Sequence, residues 1–295
     1  IQIIIIIMSI SQQYSMLCTA LLMCSMMMAA CLANNPPNIP YDQSTAEDYL
    51  LLSYNAYCPE SVITSWNCQR CQDDFSIVSN PIVIYNNSTD TLCYVATYGE
   101  TVFVAFRGST DISSWITNMK FFQTSYPKVA GGEVHLGFYE AYMSVQADVQ
   151  NALSYHLKNC PSCTNIVVTG HSLGGALATL CMADVVEWFS ALPTMSYTFG
   201  SPRVGNIIFE EYYNSIQPNT WRVVNQKDIV PHVPPQIPIQ YHHVSNEIWY
   251  PKNATGPYVV CNDSGEDPKC SDAVSPLFYN VYDHLHYFNQ VSGCP

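Results

Sequence analysis

The sequence has few basic residues: 10 Lys and Arg stand against 23 Asp and Glu in 295 residues, a formal net charge of −13 at pH 7. Proteins that bind nucleic acid or strongly anionic membranes use clustered basic side chains. The charge balance therefore excludes both partners. It leaves a neutral lipid droplet or a zwitterionic surface open, because apolar burial rather than charge drives that contact.

The chain also lacks internal repeats, and no Gly/Ser-rich linker divides the part that follows residue 33. Its 48% hydrophobic residues are enough to build one large core. We therefore predict a single domain over residues 34–295.

Charged residues are absent before Asp42, and residues 16–30 form an apolar run. Such a run is typical of a signal peptide, and Cys31-Leu32-Ala33 resembles a small-x-small cleavage site. We predict that residues 1–33 are a signal peptide and that the protein is secreted or resides in the lumen of a secretory or lysosome-like compartment. A retained membrane anchor and a lipid-modified Cys31 are the alternatives.

Three of the 13 cysteines fall in this leader, so 10 remain after it. An even number in an exported chain indicates disulfides. The pairs Cys68-x-x-Cys71 and Cys160-x-x-Cys163 also have zinc-knuckle spacing, but they lie far apart in the sequence. We therefore expect no metal.

Strand and helix patterns alternate along the chain. Residues 91–98 and 101–106 predict a hairpin that turns at Gly99-Glu100, and the consecutive apolar residues of the second run predict a central strand. We predict further strands at 165–169, 196–199 and 221–224, and helices from Ser44 or Thr45 to Tyr57 and over 138–158, 176–189 and 206–215. This alternation indicates a mostly parallel sheet with helices on both faces. Beyond Pro231 we predict only loops and short extended pieces.

Gly170-His171-Ser172-Leu173-Gly174 is a G-x-S-x-G motif between a predicted strand and a predicted helix. A serine at this sharp turn is held in a strained backbone conformation, which requires small neighbours. The following helix also directs its positive end at the oxyanion formed in acyl transfer. We predict Ser172 as a nucleophile; an ordinary glycine turn with an exposed serine is the simpler alternative.

A serine hydroxyl needs a base to remove its proton and a carboxylate to orient that base. In α/β hydrolases these residues follow in the order Ser, acid, His. Asp228 lies in the loop after the predicted strand at 221–224, and His284 and His286 lie further on. Spacing alone does not decide between the two histidines.

Six segments together resemble the class 3 lipases, the filamentous-fungal triacylglycerol lipase family with its plant and protist relatives. The segments are Phe106-Arg107-Gly108-Ser109, Val134-His135-Leu136-Gly137-Phe138, residues 170–176, residues 200–206, Asp228-Ile229-Val230-Pro231 and residues 283–288.

The resemblance implies an α/β-hydrolase fold in which His284 is the catalytic histidine. Leu173, the residue after the nucleophile, is expected to supply one N–H donor of the oxyanion hole, and the resemblance implies Ser109 as the other. The segment 112–119 resembles the family's helical lid, with Ile112, Trp115, Ile116 and Met119 as its apolar residues. A surface helix whose tryptophan packs on the core is the alternative for that segment.

The resemblance further implies disulfides that join Cys58 with Cys294, Cys68 with Cys71, and Cys261 with Cys270. The sequence departs from the family pattern at Cys160 and Cys163, and we predict that this pair closes an extra small loop. We expect Cys93 and Cys181, which have apolar neighbours, to be buried free thiols.

The predicted function is a triacylglycerol lipase that acts as a monomer on lipid esters at an oil–water or zwitterionic interface, without a cofactor. A phospholipase A1 or a feruloyl-type esterase is the alternative within the same chemistry. A catalytically inactive lipid-binding relative is the alternative from another class. We interpret the remaining histidines as structural residues rather than metal ligands: His135, His171, His232, His242 and His243.

Overall fold

The computed structural model describes residues 39–252 and 255–294, which form one compact unit. The predicted signal peptide at residues 1–33 lies outside the described residues. Within the described ranges, no helix has the length and apolar character needed to cross a bilayer.

The strands of the described chain are β1 (Ser79–Asn86), β2 (Thr91–Tyr98), β3 (Thr101–Phe106), β4 (Gln123–Ser125), β5 (Glu133–His135), β6 (Asn165–His171), β7 (Thr194–Phe199), β8 (Gly205–Asn206), β9 (Thr220–Asn225), β10 (Tyr241–His242), β11 (Glu247–Tyr250), β12 (Val259–Val260), β13 (His286–Tyr287) and β14 (Gln290–Val291). The α-helices are α1 (Gln43–Asn55), α2 (Glu60–Ser65), α3 (Gln69–Asp73), α4 (Ile112–Asn118), α5 (Leu136–Met143), α6 (Gln146–Asn159), α7 (Leu173–Trp188), α8 (Ile207–Ile216) and α9 (Val281–His284).

The main sheet has eight strands in the order β1-β2-β3-β6-β7-β9-β11-β12. Its centre, from β3 to β11, is parallel throughout, and the outer pairs β1–β2, β2–β3 and β11–β12 are antiparallel. The mostly parallel α/β architecture predicted from the sequence is confirmed.

Successive residues of β3 point to opposite faces of the sheet, and each face has its own core. Val104 and Phe106 pack in the core that α7 covers, whereas Phe103 and Ala105 pack in the core that α1 covers. This explains why β3 is apolar at every position from Val102 to Phe106: helices cover both faces of the sheet.

The β2–β3 hairpin has the predicted bounds, and Gly99 in its turn has a φ of +58°. Two helix predictions need correction. Helix α1 begins at Gln43, because the Asp42 side chain, rather than Ser44 or Thr45, caps it by accepting the Thr45 amide at 2.7 Å.

The predicted helix over 138–158 is two helices, α5 and α6, separated at Ser144-Val145. The Ser144 hydroxyl donates to the Ala141 carbonyl at 2.7 Å, where it competes with the backbone ladder. The break lets Tyr142 and Gln146 both donate to the buried Asp184 carboxylate, at 2.6 and 2.5 Å.

The segment beyond Pro231 contributes more to the fold than short extended pieces. Residues Glu247–Tyr250 form β11, which pairs in parallel with β9 inside the main sheet. Four disulfides join Cys58 with Cys294, Cys68 with Cys71, Cys160 with Cys163, and Cys261 with Cys270. Cys93 and Cys181 are buried free thiols.

Candidate active site

Ser172 lies between the end of β6 and the start of α7, in the sharp turn predicted from the G-x-S-x-G motif. Its φ of 60° and ψ of −132° are strained for a residue with a side chain. A Cβ on Gly170 would lie 2.1 Å from the Gly174 oxygen, and a Cβ on Gly174 would lie 2.3 Å from the Phe106 oxygen. Only glycine therefore lets strand β6, helix α7 and the end of β3 approach this closely.

Asp228 and His284, which are 56 residues apart in sequence, form a buried pair. The Nδ1 atom of His284 lies 2.9 Å from Asp228 Oδ2 and 3.0 Å from Oδ1, and both side chains are 0% exposed. The carboxylate also accepts the Tyr287 hydroxyl at 2.5 Å and the Val230 amide at 2.8 Å. Burial alone would raise the pKa of Asp228, but attraction to His284 and these hydrogen bonds outweigh it and lower the pKa below its ordinary value.

Hydrogen bonds from the end of β9, close to Asp228, hold the turn that contains His284. Asn225 at the end of β9 donates to the carbonyl oxygens of Asp283 and His286, at 3.0 and 2.6 Å. The backbone of Asn280, which caps α9, pairs with the Asp228 loop. The acid and the histidine are therefore fixed to the same end of the sheet.

The two candidate histidines occupy different environments. His284 faces Asp228, whereas the His286 ring stacks on Tyr282 at a centroid distance of 3.9 Å and contacts the Tyr282 carbonyl through Nδ1 at 2.7 Å. The change of backbone conformation between them accounts for the difference, because His284 is the last residue of α9 and His286 is the first residue of β13.

Backbone contacts place Ser172 close to the Asp228–His284 pair. The Ser172 amide donates to the Phe199 carbonyl at 2.9 Å, and Gly200, the next residue, lies so close to His284 that a Cβ there would be 2.8 Å from Nδ1. Among the described residues, the buried Ser172 Oγ and His284 Nε2 atoms have no hydrogen-bond partner. Both atoms are thus available to a ligand.

The loop after β3 lies directly over the serine. A Cβ on Gly108 would be 3.0 Å from the Ser172 Cβ and 2.6 Å from the His171 carbonyl oxygen. Ser109 follows in this loop, and its hydroxyl donates to the Asp111 carbonyl at 3.3 Å. Leu173 is the first residue of α7, where a backbone N–H has no acceptor within the helix.

A cavity of about 380 Å³ opens beside these residues. Its lining includes Ser109, Ile112, His171, His284 and Leu285. Ser172 itself is only 1% exposed, so this conformation does not present the hydroxyl to solvent.

The segment predicted as a lid, residues 112–119, forms helix α4 except for its last residue. The Asp111 side chain caps it by accepting the Ser114 amide at 3.0 Å. Ile112 is buried, Ile116 is half-buried, and Trp115 stacks on Phe138 with ring planes 15° apart. Met119 packs against the same core as Trp115.

The described residues contain one group with metal-ligand spacing: Glu247, Cys261 and Cys270. The two cysteines are joined in a disulfide, and a cysteine must be a free thiolate to bind a metal. This group does not fit a metal site.

Sequence reasoning missed three residues at this site: Tyr287, which donates to Asp228; Gly200, which leaves room for the pair; and His171, which we interpreted as structural. The His171 ring stacks on the His284 ring at a centroid distance of 4.5 Å. Its position next to Ser172 in the motif is the only signal in the sequence that could have indicated this contact.

Comparisons with known proteins point to one family. Residues 103–237 match the profile of the class 3 lipases. The chain is 37% identical over 253 residues to a lipase of Rhizomucor miehei, covering 83% of this chain and 68% of that protein. It is 33% identical over 267 residues to a secreted mono- and diacylglycerol lipase of Fusarium solani, covering 86% and 78%. It spans 63% of a lipase of Rhizopus niveus at 34% identity.

Solved structures agree with the sequence comparison. A triacylglycerol lipase whose catalytic centre is a serine-protease triad superposes with a TM-score of 0.78 at 36% identity, covering 85% of this chain and 95% of that one. The Rhizomucor miehei lipase in its propeptide complex gives a TM-score of 0.79 at 32% identity, covering 90% and 92%.

Proposed function

The chain belongs to the class 3 lipase family, and on that basis we propose that it is a triacylglycerol lipase with Ser172 as nucleophile, His284 as general base and Asp228 as the carboxylate partner of His284. The observation that carries the proposal is the buried His284–Asp228 pair, whose free Nε2 atom accompanies an unpartnered serine hydroxyl at a strained turn. A structural ion pair would not require a vacant nitrogen on the histidine.

The reaction proceeds by acyl transfer. Ser172 Oγ forms a bond to the ester carbonyl carbon while its proton passes to His284 Nε2. The alcohol then leaves with that proton, and water releases the fatty acid from the acyl-enzyme by the same two steps. Because the pKa of Asp228 is lowered, it remains a carboxylate that orients Nδ1–H and stabilises the imidazolium.

The oxyanion hole is assigned to the backbone N–H groups of Leu173 and Ser109, with the Ser109 hydroxyl as a further donor. Leu173 follows the nucleophile at the positive end of α7, and the Ser109 loop lies over the serine. Both positions suit donors to the oxygen that becomes negative in the tetrahedral intermediate.

We assign α4 as a lid. Ser172 is 1% exposed, so a triacylglycerol reaches it only after a covering element moves. Helix α4 is short, carries Ile112 on the cavity wall and has Trp115 in a single ring stack with Phe138. Opening exposes Ile112, Trp115, Ile116 and Met119 to a lipid surface.

The substrate surface is a neutral or zwitterionic interface. Large apolar side chains lie exposed on either side of His284 in the sequence: Leu277 (90%), Phe278 (62%), Tyr282 (68%) and Val291 (58%). The net charge of −13 opposes binding to anionic lipid. Secretion is supported by the four disulfides and by the secreted Fusarium solani relative, and we propose that the enzyme acts as a monomer.

The test is a covalent label combined with a substrate panel. We expect a fluorophosphonate probe to modify the wild-type protein at Ser172 and to leave Ser172→Ala unmodified. We expect emulsified triolein to be cleaved faster than phosphatidylcholine or methyl ferulate. Absence of the label would support an inactive lipid-binding relative, and faster cleavage of the phospholipid or the feruloyl ester would replace the proposed substrate.

The lid has its own measurement. We expect wild-type activity on tributyrin to rise sharply once the ester exceeds its solubility, and Trp115→Ala to reduce this step by raising activity on dissolved ester. Trp188→Ala, at the far end of α7, is the matched control. An unchanged step in Trp115→Ala would reject the lid assignment.

A further inference from the structure

His171 lies between the catalytic histidine and a tyrosine of the N-terminal region. Its Nε2 atom is 2.8 Å from the His284 carbonyl oxygen, and its Nδ1 atom is 2.8 Å from the Tyr57 hydroxyl. The ring is 1% exposed, and it stacks on the His284 ring with the planes 28° apart. Each ring nitrogen of His171 therefore has a hydrogen-bond partner at the site.

The chemistry of these partners fixes the direction of each hydrogen bond. A carbonyl oxygen only accepts, so His171 Nε2 carries the proton and donates to His284. In a neutral imidazole the other nitrogen is then an acceptor, and the Tyr57 hydroxyl must donate to His171 Nδ1. Burial, and then the neighbouring His284, lower the pKa of His171 to about 3, which keeps the ring neutral near pH 7.

Tyr57 extends the chain of contacts to the oxyanion loop. Gly108 packs closely against the Tyr57 hydroxyl, because a Cβ on Gly108 would lie 2.1 Å from that oxygen. Gly108 immediately precedes Ser109. The contacts thus run from the oxyanion loop through Tyr57 and His171 to the backbone of His284.

The His284 turn depends on His171 for one of three carbonyl contacts. Asn225 holds the carbonyls on either side, those of Asp283 and His286, and His171 holds the carbonyl of His284 itself. His171 is also the residue directly before Ser172 in the chain. It therefore fixes the base relative to the nucleophile over a single peptide unit.

We infer that Tyr57 and His171 are positioning residues for acyl transfer. They hold the His284 turn and the Ser109 loop at fixed positions relative to Ser172. The inference rests on the proposed function. It predicts that losing these hydrogen bonds slows the chemical step at each intact active site, because a misplacement of about 1 Å costs about a hundredfold in rate.

Three variants test it: His171→Met, which fills the space but removes both hydrogen bonds; His171→Gln, which retains a donor and an acceptor; and Tyr57→Phe, which loses one hydroxyl. Active sites are counted by fluorophosphonate titration, so kcat refers only to folded, reactive enzyme. We expect kcat to fall about a hundredfold in His171→Met and about tenfold in Tyr57→Phe, with KM within about twofold of wild type. His171→Gln should recover most of the loss.

Matched controls separate positioning from stability. His156→Met removes a buried histidine from α6, and Tyr94→Phe removes a buried hydroxyl that donates to the Leu52 carbonyl at 2.7 Å. Both should lower the melting temperature without changing kcat per titrated site. Wild-type kcat per site in Tyr57→Phe, or equal losses in His171→Gln and His171→Met, would overturn the inference. Activity remaining in Ser172→Ala would instead overturn the proposed function.

Discussion

His284 Nδ1 lies 2.9 Å from Asp228 Oδ2, and neither side chain is exposed to solvent. This pairing joins the loop after β9 to the last residue of α9. In the proposed mechanism Asp228 does not contact the substrate. Its role is to orient the His284 ring and to stabilise the imidazolium.

The first prediction concerns this carboxylate. Asp228→Asn keeps the size of the side chain but removes the charge that stabilises the His284 imidazolium and selects its tautomer. We expect kcat to fall by about 10⁴-fold. Asp184→Asn, at another buried aspartate, is the control and should leave kcat per titrated site close to wild type. A loss of less than about tenfold in Asp228→Asn would contradict the assignment.

The second prediction distinguishes the two neighbouring histidines. His284→Ala should remove several orders of magnitude of activity, because it deletes the base that faces Asp228. His286→Ala should leave most of it, since that ring contacts Tyr282 instead. Hydrolysis rates per titrated site are the measurement, and the reverse ranking would reject His284 as the base.

The third prediction concerns Gly200. A Cβ at this position would lie 2.6 Å from Asp228 Oδ2 and 2.8 Å from His284 Nδ1, so Gly200→Ala must displace one member of the pair. Gly99→Ala is a close control: Gly99 has a φ of +58° against +56° at Gly200, but open space around it. Both variants should be destabilised by backbone strain, and only Gly200→Ala should lose kcat, by about a hundredfold. Equal kcat in the two variants would contradict the clash.

Local signals account for what the sequence predicts well. The β2–β3 hairpin follows from two β-rich runs around Gly99-Glu100, and the Ser172 turn follows from glycines that only a close strand–helix approach requires. Strand β1 was missed because Pro81 interrupts its pattern, and the break between α5 and α6 was missed because Ser144-Val145 carries neither glycine nor proline.

The remaining parts of the site depend on contacts between distant segments. Tyr57 meets His171 across 114 residues, and Tyr287 meets Asp228 across 59. No local pattern encodes such contacts, because Tyr57 and Tyr287 are ordinary aromatic residues in their own segments. They become evident only when the fold brings the ends of β3, β6 and β9 together.

The fourth prediction ranks two disulfides. Cys58–Cys294 spans 236 residues and Cys160–Cys163 spans 3, so the first restricts the unfolded chain far more. In the chain-entropy view, replacing both cysteines by serine costs about 5 kcal/mol for the long loop and about 2 kcal/mol for the short one. Urea unfolding without reductant measures both differences. An equal or reversed ranking would show that native-state contacts, rather than loop length, set the stabilisation.

The last prediction is a pH dependence of stability. Burial, followed by repulsion from His284, lowers the pKa of His171 to about 3 in the folded protein, whereas an unfolded histidine titrates near 6.5. Between these values the unfolded chain binds the additional proton, so folding free energy is lost as the pH falls from about 6.5 towards 3, by at most about 1.4 kcal/mol per pH unit. Above about pH 6.5 this contribution no longer changes.

Urea unfolding of wild type and His171→Gln at pH 7, 6 and 5 measures the effect. The variant has no group to titrate at this position, so its stability should fall less steeply than that of wild type over the same interval. Parallel curves for wild type and His171→Gln would show that His171 takes up its proton equally in the folded and unfolded states, which contradicts its burial between Tyr57 and His284.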